Sequence, residues 1–204
     1  MLNLRKIAIT GGLAAGKTSV CQILRNLGAH VISADAIVHR LLSPTSELHD
    51  KVVELLGSDI LDGQRIDRAK VAKKVFRDPA KLVQLEKLLH PAVRKEIELD
   101  YQQAQKTNPN SLFVAEIPLL FESANEDFFD AVVAVIAPEN LARARFSALS
   151  GKGDDEFNLR SERQLPAELK AKRAHYTIVN DSTLAELEKK VKDLYPTLKE
   201  LHIQ

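Results

Sequence analysis

Residues 11–18 read Gly-Gly-Leu-Ala-Ala-Gly-Lys-Thr and match the pattern G-x-x-x-x-G-K-[ST] at every defined position. They follow a short β-branched apolar run at residues 5–10 (RKIAIT) and precede a segment with apolar residues at helical spacing that ends at Gly28. A strand, a glycine-rich turn and a helix in this order direct backbone N–H groups and the positive helix end at phosphate oxygens. The stretch therefore predicts a nucleotide phosphate-binding loop.

Two side chains of this loop carry chemistry. Lys17 is expected to place a positive charge on the β and γ phosphates of ATP, and the Thr18 hydroxyl is expected to ligate Mg²⁺. The residues expected at the ATP phosphates are Gly12, Leu13, Ala14, Ala15, Gly16, Lys17 and Thr18. The alternative is a chance glycine-rich turn with a surface lysine, and the strand-to-helix context disfavours it.

Four further short, mostly apolar runs predict strands. They lie at residues 29–33, 112–117, 131–136 and 176–179. Continuous apolar strands separated by helices are typical of a parallel sheet covered on both faces. The sequence therefore predicts an α/β fold of the P-loop kinase type, with a five-stranded parallel sheet flanked by helices.

Two insertions interrupt this core. Residues 36–110 carry no strand signal and several helix starts, which predicts a helical insertion. One helix is expected to start at Asp78-Pro79, and His90-Pro91 is expected to bend or end it. Residues 150–155 (SGKGDD) are glycine-rich and polar, and they predict a lid.

The predicted organisation is a single domain, 1–204. Its core comprises residues 1–35, 111–140 and 174–204, its insertion residues 36–110 and its lid residues 141–173.

Composition limits the partners of the chain. It has 204 residues with 29 Lys+Arg against 28 Asp+Glu, so no excess of positive charge is available for nucleic acid or an anionic membrane. No apolar run approaches the ~20 residues that span a bilayer. Cys21 is the one cysteine, and the N-terminus lacks the apolar core of a signal peptide. The sequence predicts a cytoplasmic protein without nucleic-acid or membrane partners.

A phosphate-binding loop leaves several classes of protein open, and other features narrow them. The sequence has neither an N-K-x-D nor a D-x-x-G motif, which removes support for a GTPase. Insertions able to hold an acceptor and to close over ATP favour a kinase. Asp35 comes two residues after the strand at residues 29–33. There it can act as a catalytic carboxylate or as the N-cap of a helix near Ala36, and position alone does not separate the two roles.

Beyond the loop, short motifs follow one another along the chain. They are Ser33-Ala34-Asp35, Leu61-Asp62-Gly63, Ile66-Asp67-Arg68, Val75-Phe76, residues 85–91 (LEKLLHP), residues 118–122 (PLLFE), Gln164-Leu165-Pro166, Lys170, Ala174 and Val179-Asn180. In their order and spacing they make the chain resemble the dephospho-CoA kinase family nearly from end to end. Ser33 stands where that family has the first aspartate of D-A-D. Ala14 stands where a third glycine is common, so we expect the loop to avoid positive φ there.

The resemblance implies transfer of the ATP γ-phosphoryl group to the ribose 3′-hydroxyl of dephospho-CoA, with Mg²⁺ as cofactor. Asp35 would be the catalytic carboxylate, and His90 and Arg94 would lie in the acceptor-binding region. Arg145 and Arg160 would be lid arginines at the ATP phosphates, and Asn180 would lie near adenine.

Four of these residues, His90, Arg94, Arg145 and Arg160, have structural roles as their alternatives. They are a helix-end histidine bonded to backbone for His90, a solvated helix face for Arg94, and surface salt bridges for Arg145 and Arg160. Two rival functions remain at this point, a kinase for another small molecule or nucleoside and a nucleotide-gated binding protein without turnover.

Overall fold

The computed structural model describes residues 4–201, so the outermost residues of the predicted core, 1–3 and 202–204, lie outside it. The strands are β1 (Arg5–Gly11), β2 (His30–Ser33), β3 (Leu61–Asp62), β4 (Arg65–Ile66), β5 (Leu112–Glu116), β6 (Ala131–Ile136) and β7 (Tyr176–Val179). The α-helices are α1 (Lys17–Asn26), α2 (Ala34–Leu41), α3 (Glu47–Leu56), α4 (Arg68–Val75), α5 (Pro79–Thr107), α6 (Glu139–Ser150), α7 (Asp154–Ser161), α8 (Ala167–Arg173) and α9 (Leu184–Lys199). The chain divides into two compact units, residues 1–32 with 101–204 and residues 33–100.

The first unit is built on a five-stranded parallel sheet in the order β2-β5-β1-β6-β7, which confirms the predicted fold class. β1 lies at its centre, with Ile7 opposite Val114 of β5 and Ala131 of β6. Apolar side chains of α1 and α9, among them Val20 and Val191, are buried in one cluster with the central strands. The carboxyl ends of the parallel strands share one edge of the sheet, where ligands of such folds bind.

The ends of the helices follow local sequence rules. Gly28, the residue after the α1 C-cap, has a φ of 93°, as predicted for a glycine that ends a helix. The Asp78 carboxylate accepts a hydrogen bond from the Lys81 N–H at the start of α5, which confirms the predicted Asp78-Pro79 helix start. The Thr183 hydroxyl caps α9 by accepting from the Glu186 N–H.

The second unit is mainly helical. Its core is formed by Val52, Leu56, Ile60, Val75 and Leu85, contributed by α3, the short turn after it, α4 and α5. The prediction that residues 36–110 contain no strand was wrong, because β3 and β4 form a two-stranded antiparallel hairpin around Gly63. Strands of two residues are too short to produce an alternating pattern, and only the Asp62-Gly63 pair marked the turn.

Of the two outcomes predicted at His90-Pro91, a bend or a new helix, the new helix was wrong, since α5 is continuous from Pro79 to Thr107 with Pro91 inside it. A proline in a helix interior costs ~3 kcal/mol, partly because the carbonyl four residues earlier loses its N–H donor. Lys87, which carries that carbonyl, is exposed and can be hydrated. Buried Leu85 and Ile97 anchor the helix on both sides of the proline.

No helix within residues 4–201 combines the length and the apolar character needed to cross a membrane.

Candidate functional site

The backbone of the phosphate-binding loop is fixed at two glycines. Gly11 has a φ of 143°, and a Cβ there would lie 1.9 Å from the Val135 carbonyl oxygen of β6. Gly16 has a φ of 99°, and a Cβ there would lie 2.2 Å from Asn180 Nδ2. Any other residue at either position would collide with its neighbour and require an unfavourable backbone, so both glycines are structurally required.

Ala14 adopts a φ of 51°, and the expectation that the loop avoids positive φ there was wrong. The loop must curl to turn successive N–H groups inward, and this curl needs a left-handed residue at position 14. The cost for alanine is about 1–2 kcal/mol. Leu13 and Ala14 pack against buried Phe146 and Phe157 of α6 and α7, which helps to offset that cost.

Lys17 is 9% exposed, and its ammonium is held by the loop itself. It donates to the carbonyl oxygens of Gly12, at 2.7 Å, and of Gly11, at 3.3 Å. The N-cap of α1, Gly16, provides no side-chain hydrogen bond to the helix N-terminus. Orphan N–H groups and a nearby ammonium therefore lie together at one point, which is the arrangement an anion requires.

Thr18 donates a hydrogen bond from its hydroxyl to Glu116 Oε1 at 3.0 Å. Glu116 is the last residue of β5, so strand pairing brings it to the edge of the sheet that bears the loop. The pair consists of hard oxygen donors, the ligand type that Mg²⁺ prefers. Sequence reasoning missed Glu116, although it is the one charged residue in the apolar run at residues 112–117 (LFVAEI).

Arg145 and Asn180 form a connected pair beside the loop. The Arg145 guanidinium donates to the backbone oxygen of Asn180 at 3.1 Å and to its side-chain oxygen at 3.3 Å. Asn180 Nδ2 in turn donates to the Ala15 carbonyl oxygen at 2.8 Å. The structure thus brings together two residues that are 35 positions apart and joins both to the P-loop.

Asp35 lies in the second unit, as the second residue of α2. The N-cap of α2 is Ser33, which rules out the alternative that Asp35 caps a helix near Ala36. The Asp35 side chain is exposed. His90 and Arg94 lie on α5, both exposed and four residues apart, and residues at this spacing share one face of a helix.

The comparisons with known proteins agree with this geometry. The sequence profile of CoaE, dephospho-CoA kinase, matches residues 5–186.

The chain belongs to the dephospho-CoA kinase family.

A dephospho-CoA kinase from Protochlamydia amoebophila is 47% identical over 200 residues, with 98% of each chain covered. The crystal structure of TT1252 from Thermus thermophilus superposes with a TM-score of 0.84 at 32% identity, covering 96% of this chain and 98% of that one. The dephospho-CoA kinase from Campylobacter jejuni superposes with a TM-score of 0.69 at 27% identity, covering 95% and 96%.

In this member of the dephospho-CoA kinase family, the predicted lid segment, residues 141–173, contains most of α6 and all of α7 and α8. α6 and α7 are joined at residues 151–153. Between the two helices Phe146 packs edge-on against Phe157, with the ring centroids 5.6 Å apart. Arg160 Nε lies 2.8 Å from Glu156 Oε1 on the same helix. This is the surface salt bridge expected if Arg160 has only a structural role. A hydrogen bond from Lys152 and a weaker contribution from the hydrogen bond of Arg160 hold the pKa of Glu156 below its usual value.

We expect residues 143–164 to become protected from hydrogen exchange when an ATP analogue binds. Arg160 uses its Nε–H on Glu156 and can offer its remaining guanidinium N–H groups to phosphates, and closure would order the exposed α7 around the nucleotide. Exchange measured with and without the analogue tests this, with α9 as the internal reference. Equal exchange of residues 143–164 in both samples would leave Arg160 as an ordinary surface charge.

Proposed function

We propose that the chain transfers the γ-phosphoryl group of ATP to the 3′-hydroxyl of dephospho-CoA, giving coenzyme A and ADP. The observation that carries this proposal is the phosphate-binding loop, with Lys17 and the Thr18–Glu116 pair, in a member of the dephospho-CoA kinase family. In this reaction the acceptor oxygen forms a bond to the γ phosphorus, and the bond from that phosphorus to the bridging oxygen of ADP breaks. The acceptor proton leaves to a base.

The loop supplies the nucleotide contacts. We propose that Lys17 exchanges the Gly11 and Gly12 carbonyl oxygens for the β and γ phosphates, because charge on those oxygens is a stronger acceptor than a neutral carbonyl. Arg145 and Asn180 are proposed to contact ATP, since the hydrogen bond from Asn180 to Ala15 places that pair directly at the loop. Arg160 is proposed to reach the phosphates when the lid closes.

The donor set at Thr18 fits Mg²⁺. Residues 4–201 contain no cluster of three or more His, Cys, Asp and Glu side chains that could hold a metal ion. Mg²⁺ commonly takes one or two protein oxygens and completes its shell with substrate phosphates and water, and the Thr18 hydroxyl and Glu116 carboxylate can provide those oxygens. When bound, the ion neutralises charge on the phosphates.

Asp35 is proposed as the base that accepts the proton of the attacking hydroxyl. Its carboxylate is exposed, it is not the N-cap of α2, and it follows the carboxyl end of β2 by two residues. These features leave the carboxylate available for chemistry.

His90 and Arg94 are proposed to bind the acceptor. We expect His90→Ala and Arg94→Ala each to raise KM for dephospho-CoA about tenfold, the size of one lost charge-assisted hydrogen bond, and to change KM for ATP far less. Steady-state kinetics with each substrate varied in turn measures the split. Lys95→Ala, an exposed cation next to Arg94 on a different face of α5, is the matched control. An equal rise in both KM values would remove the two residues from the acceptor site.

Acceptor specificity tests the proposed function. A large insertion should use remote binding energy from the pantetheine arm and diphosphate to position the hydroxyl, so truncated acceptors should lose kcat as well as affinity. We expect kcat/KM for dephospho-CoA to exceed that for adenosine, AMP and shikimate by at least about 100-fold. ADP release coupled to a dehydrogenase measures all four. Comparable values for adenosine and dephospho-CoA would reduce the function to that of a kinase for another acceptor.

A further inference from the structure

Lys170 of α8 is a buried cation that the proposed chemistry does not use. None of its side chain is exposed. Its ammonium contacts Glu122 Oε1 at 2.9 Å and the Pro118 carbonyl oxygen at 2.8 Å. It also lies 3.3 Å from Gln164 Oε1 and 3.5 Å from the Gly11 carbonyl oxygen.

Burying this charge is unfavourable for stability. Removing an ammonium from water costs several kcal/mol. Burial lowers the pKa of Lys170, and the hydrogen bond and charge of Glu122 act in the opposite direction. Glu122 Oε1 also accepts a hydrogen bond from the Leu165 N–H at 2.7 Å, so its carboxylate is fixed as well. A cation that is costly to bury and is held so firmly suggests a role beyond stability.

The acceptors of Lys170 connect it to the phosphate-binding loop. The Gly11 carbonyl oxygen lies 3.3 Å from Lys17 Nζ and 3.5 Å from Lys170 Nζ, so two ammonium groups share it. The Pro118 carbonyl oxygen, held by Lys170, is also hydrogen-bonded by the Thr10 hydroxyl of β1 at 3.3 Å. Thr10 is thus tied directly to the segment after β5, and Gly11 is tied to it through one buried ammonium.

Binding of ATP would draw Lys17 away from the Gly11 carbonyl oxygen. When Lys17 turns to the phosphates, the Gly11 carbonyl group loses one of its two cationic neighbours. A buried carbonyl left without a donor costs about 1–3 kcal/mol, which would oppose the movement. Lys170 cannot move with Lys17, because Glu122 and Pro118 hold it in place.

We propose that Lys170 is a positioning residue for nucleotide binding: it holds the Gly11 and Pro118 carbonyl groups while Lys17 transfers its hydrogen bonds from the loop to the phosphates. This inference rests on the proposed use of ATP. It does not depend on which acceptor is phosphorylated.

A double-mutant cycle on ATP affinity tests the proposal. Lys170→Met alone leaves the Glu122 carboxylate without its cation and can destabilise the fold, so the informative variant is Lys170→Met/Glu122→Gln, which removes both charges and keeps both shapes. We expect it to melt near the wild-type temperature and to bind ATP at least about tenfold more weakly, the equivalent of one charge-assisted hydrogen bond. In a Lys17→Ala background, the same pair of changes should weaken ATP binding less than about twofold, because no lysine then leaves Gly11.

Two results would overturn the proposal. Wild-type ATP affinity in Lys170→Met/Glu122→Gln would make Lys170 only the counter-ion of Glu122. An equal loss of affinity with and without Lys17 would make it a structural support that acts independently of that lysine. Lys189→Met/Asp193→Asn, which removes an exposed pair of 2.8 Å on α9, is the matched control and should leave ATP affinity unchanged. Titration of the wild-type protein with ATP in the same series tests separately whether the protein binds ATP, the part of the proposed function on which the inference rests.

Discussion

Lys17→Ala is expected to lower kcat about 1000-fold, the upper end of the range for loss of one preorganised donor at a developing charge. Lys17 is the residue of the loop whose charge can follow the phosphate oxygens, because its stem is flexible and its ammonium already lies at the loop, 2.7 Å from the Gly12 carbonyl oxygen. That charge is most valuable in the transition state, where negative charge is redistributed over the β and γ phosphates. ATP affinity should therefore fall less than kcat.

The fold of Lys17→Ala should survive, since alanine favours helices and α1 is anchored by buried Val20 and Leu24. Rapid-quench measurement of phosphoryl transfer, with circular dichroism as the check on folding, distinguishes lost chemistry from lost structure. Lys192→Ala, an exposed lysine of α9 paired with Glu188, should keep full activity. Wild-type turnover by folded Lys17→Ala protein would remove the phosphate-binding loop from the mechanism.

Asp35→Asn is expected to lower kcat about 100-fold or more with little change in KM for ATP, the usual size of a general-base effect. The amide has nearly the same shape but cannot accept the proton. Because Asp35 lies in the first turn of α2, loss of its charge should also reduce stability by about 0.3–1 kcal/mol through the helix dipole. These two effects are measured separately, by steady-state kinetics and by thermal melting.

Glu47→Gln is the matched control for Asp35→Asn. Glu47 is exposed in the first turn of α3, so this change removes a similar helix-dipole interaction without touching the proposed base. We expect a similar small loss of stability and no loss of turnover. If Asp35→Asn behaves in the same way, Asp35 acts only at the end of its helix and another group accepts the proton.

The parts of the fold that could be predicted from sequence are those set by local patterns. The predicted strand at residues 131–136 coincides with β6, and Gly28 and Asp78 lie at the ends of helices as predicted. Two local rules failed where tertiary structure overrode them. Packing on both sides of Pro91 keeps α5 continuous, and the curl of the phosphate-binding loop holds Ala14 at positive φ.

The contacts of the candidate site that the sequence did not predict depend on tertiary structure, above all on which strands are neighbours. Thr18 and Glu116 are 98 positions apart and meet because β5 pairs with β1. Lys170 reaches the Gly11 carbonyl group across 159 positions. No periodicity or local motif encodes strand order, so these contacts became visible only in the folded chain. Residue types were still informative, since a single carboxylate ending an apolar strand marks an edge where ligands bind.

The most direct test of the proposed function follows the transferred group itself. Wild-type protein would be incubated with dephospho-CoA, Mg²⁺ and ATP labelled with ¹⁸O in the three terminal oxygens of its γ phosphate, and the products analysed by mass spectrometry and ³¹P NMR. The proposed function predicts coenzyme A with all three labelled oxygens in a phosphate on the ribose 3′ position, in an amount equal to the ADP formed. Label found in inorganic phosphate or at another hydroxyl, with no labelled coenzyme A, would contradict it.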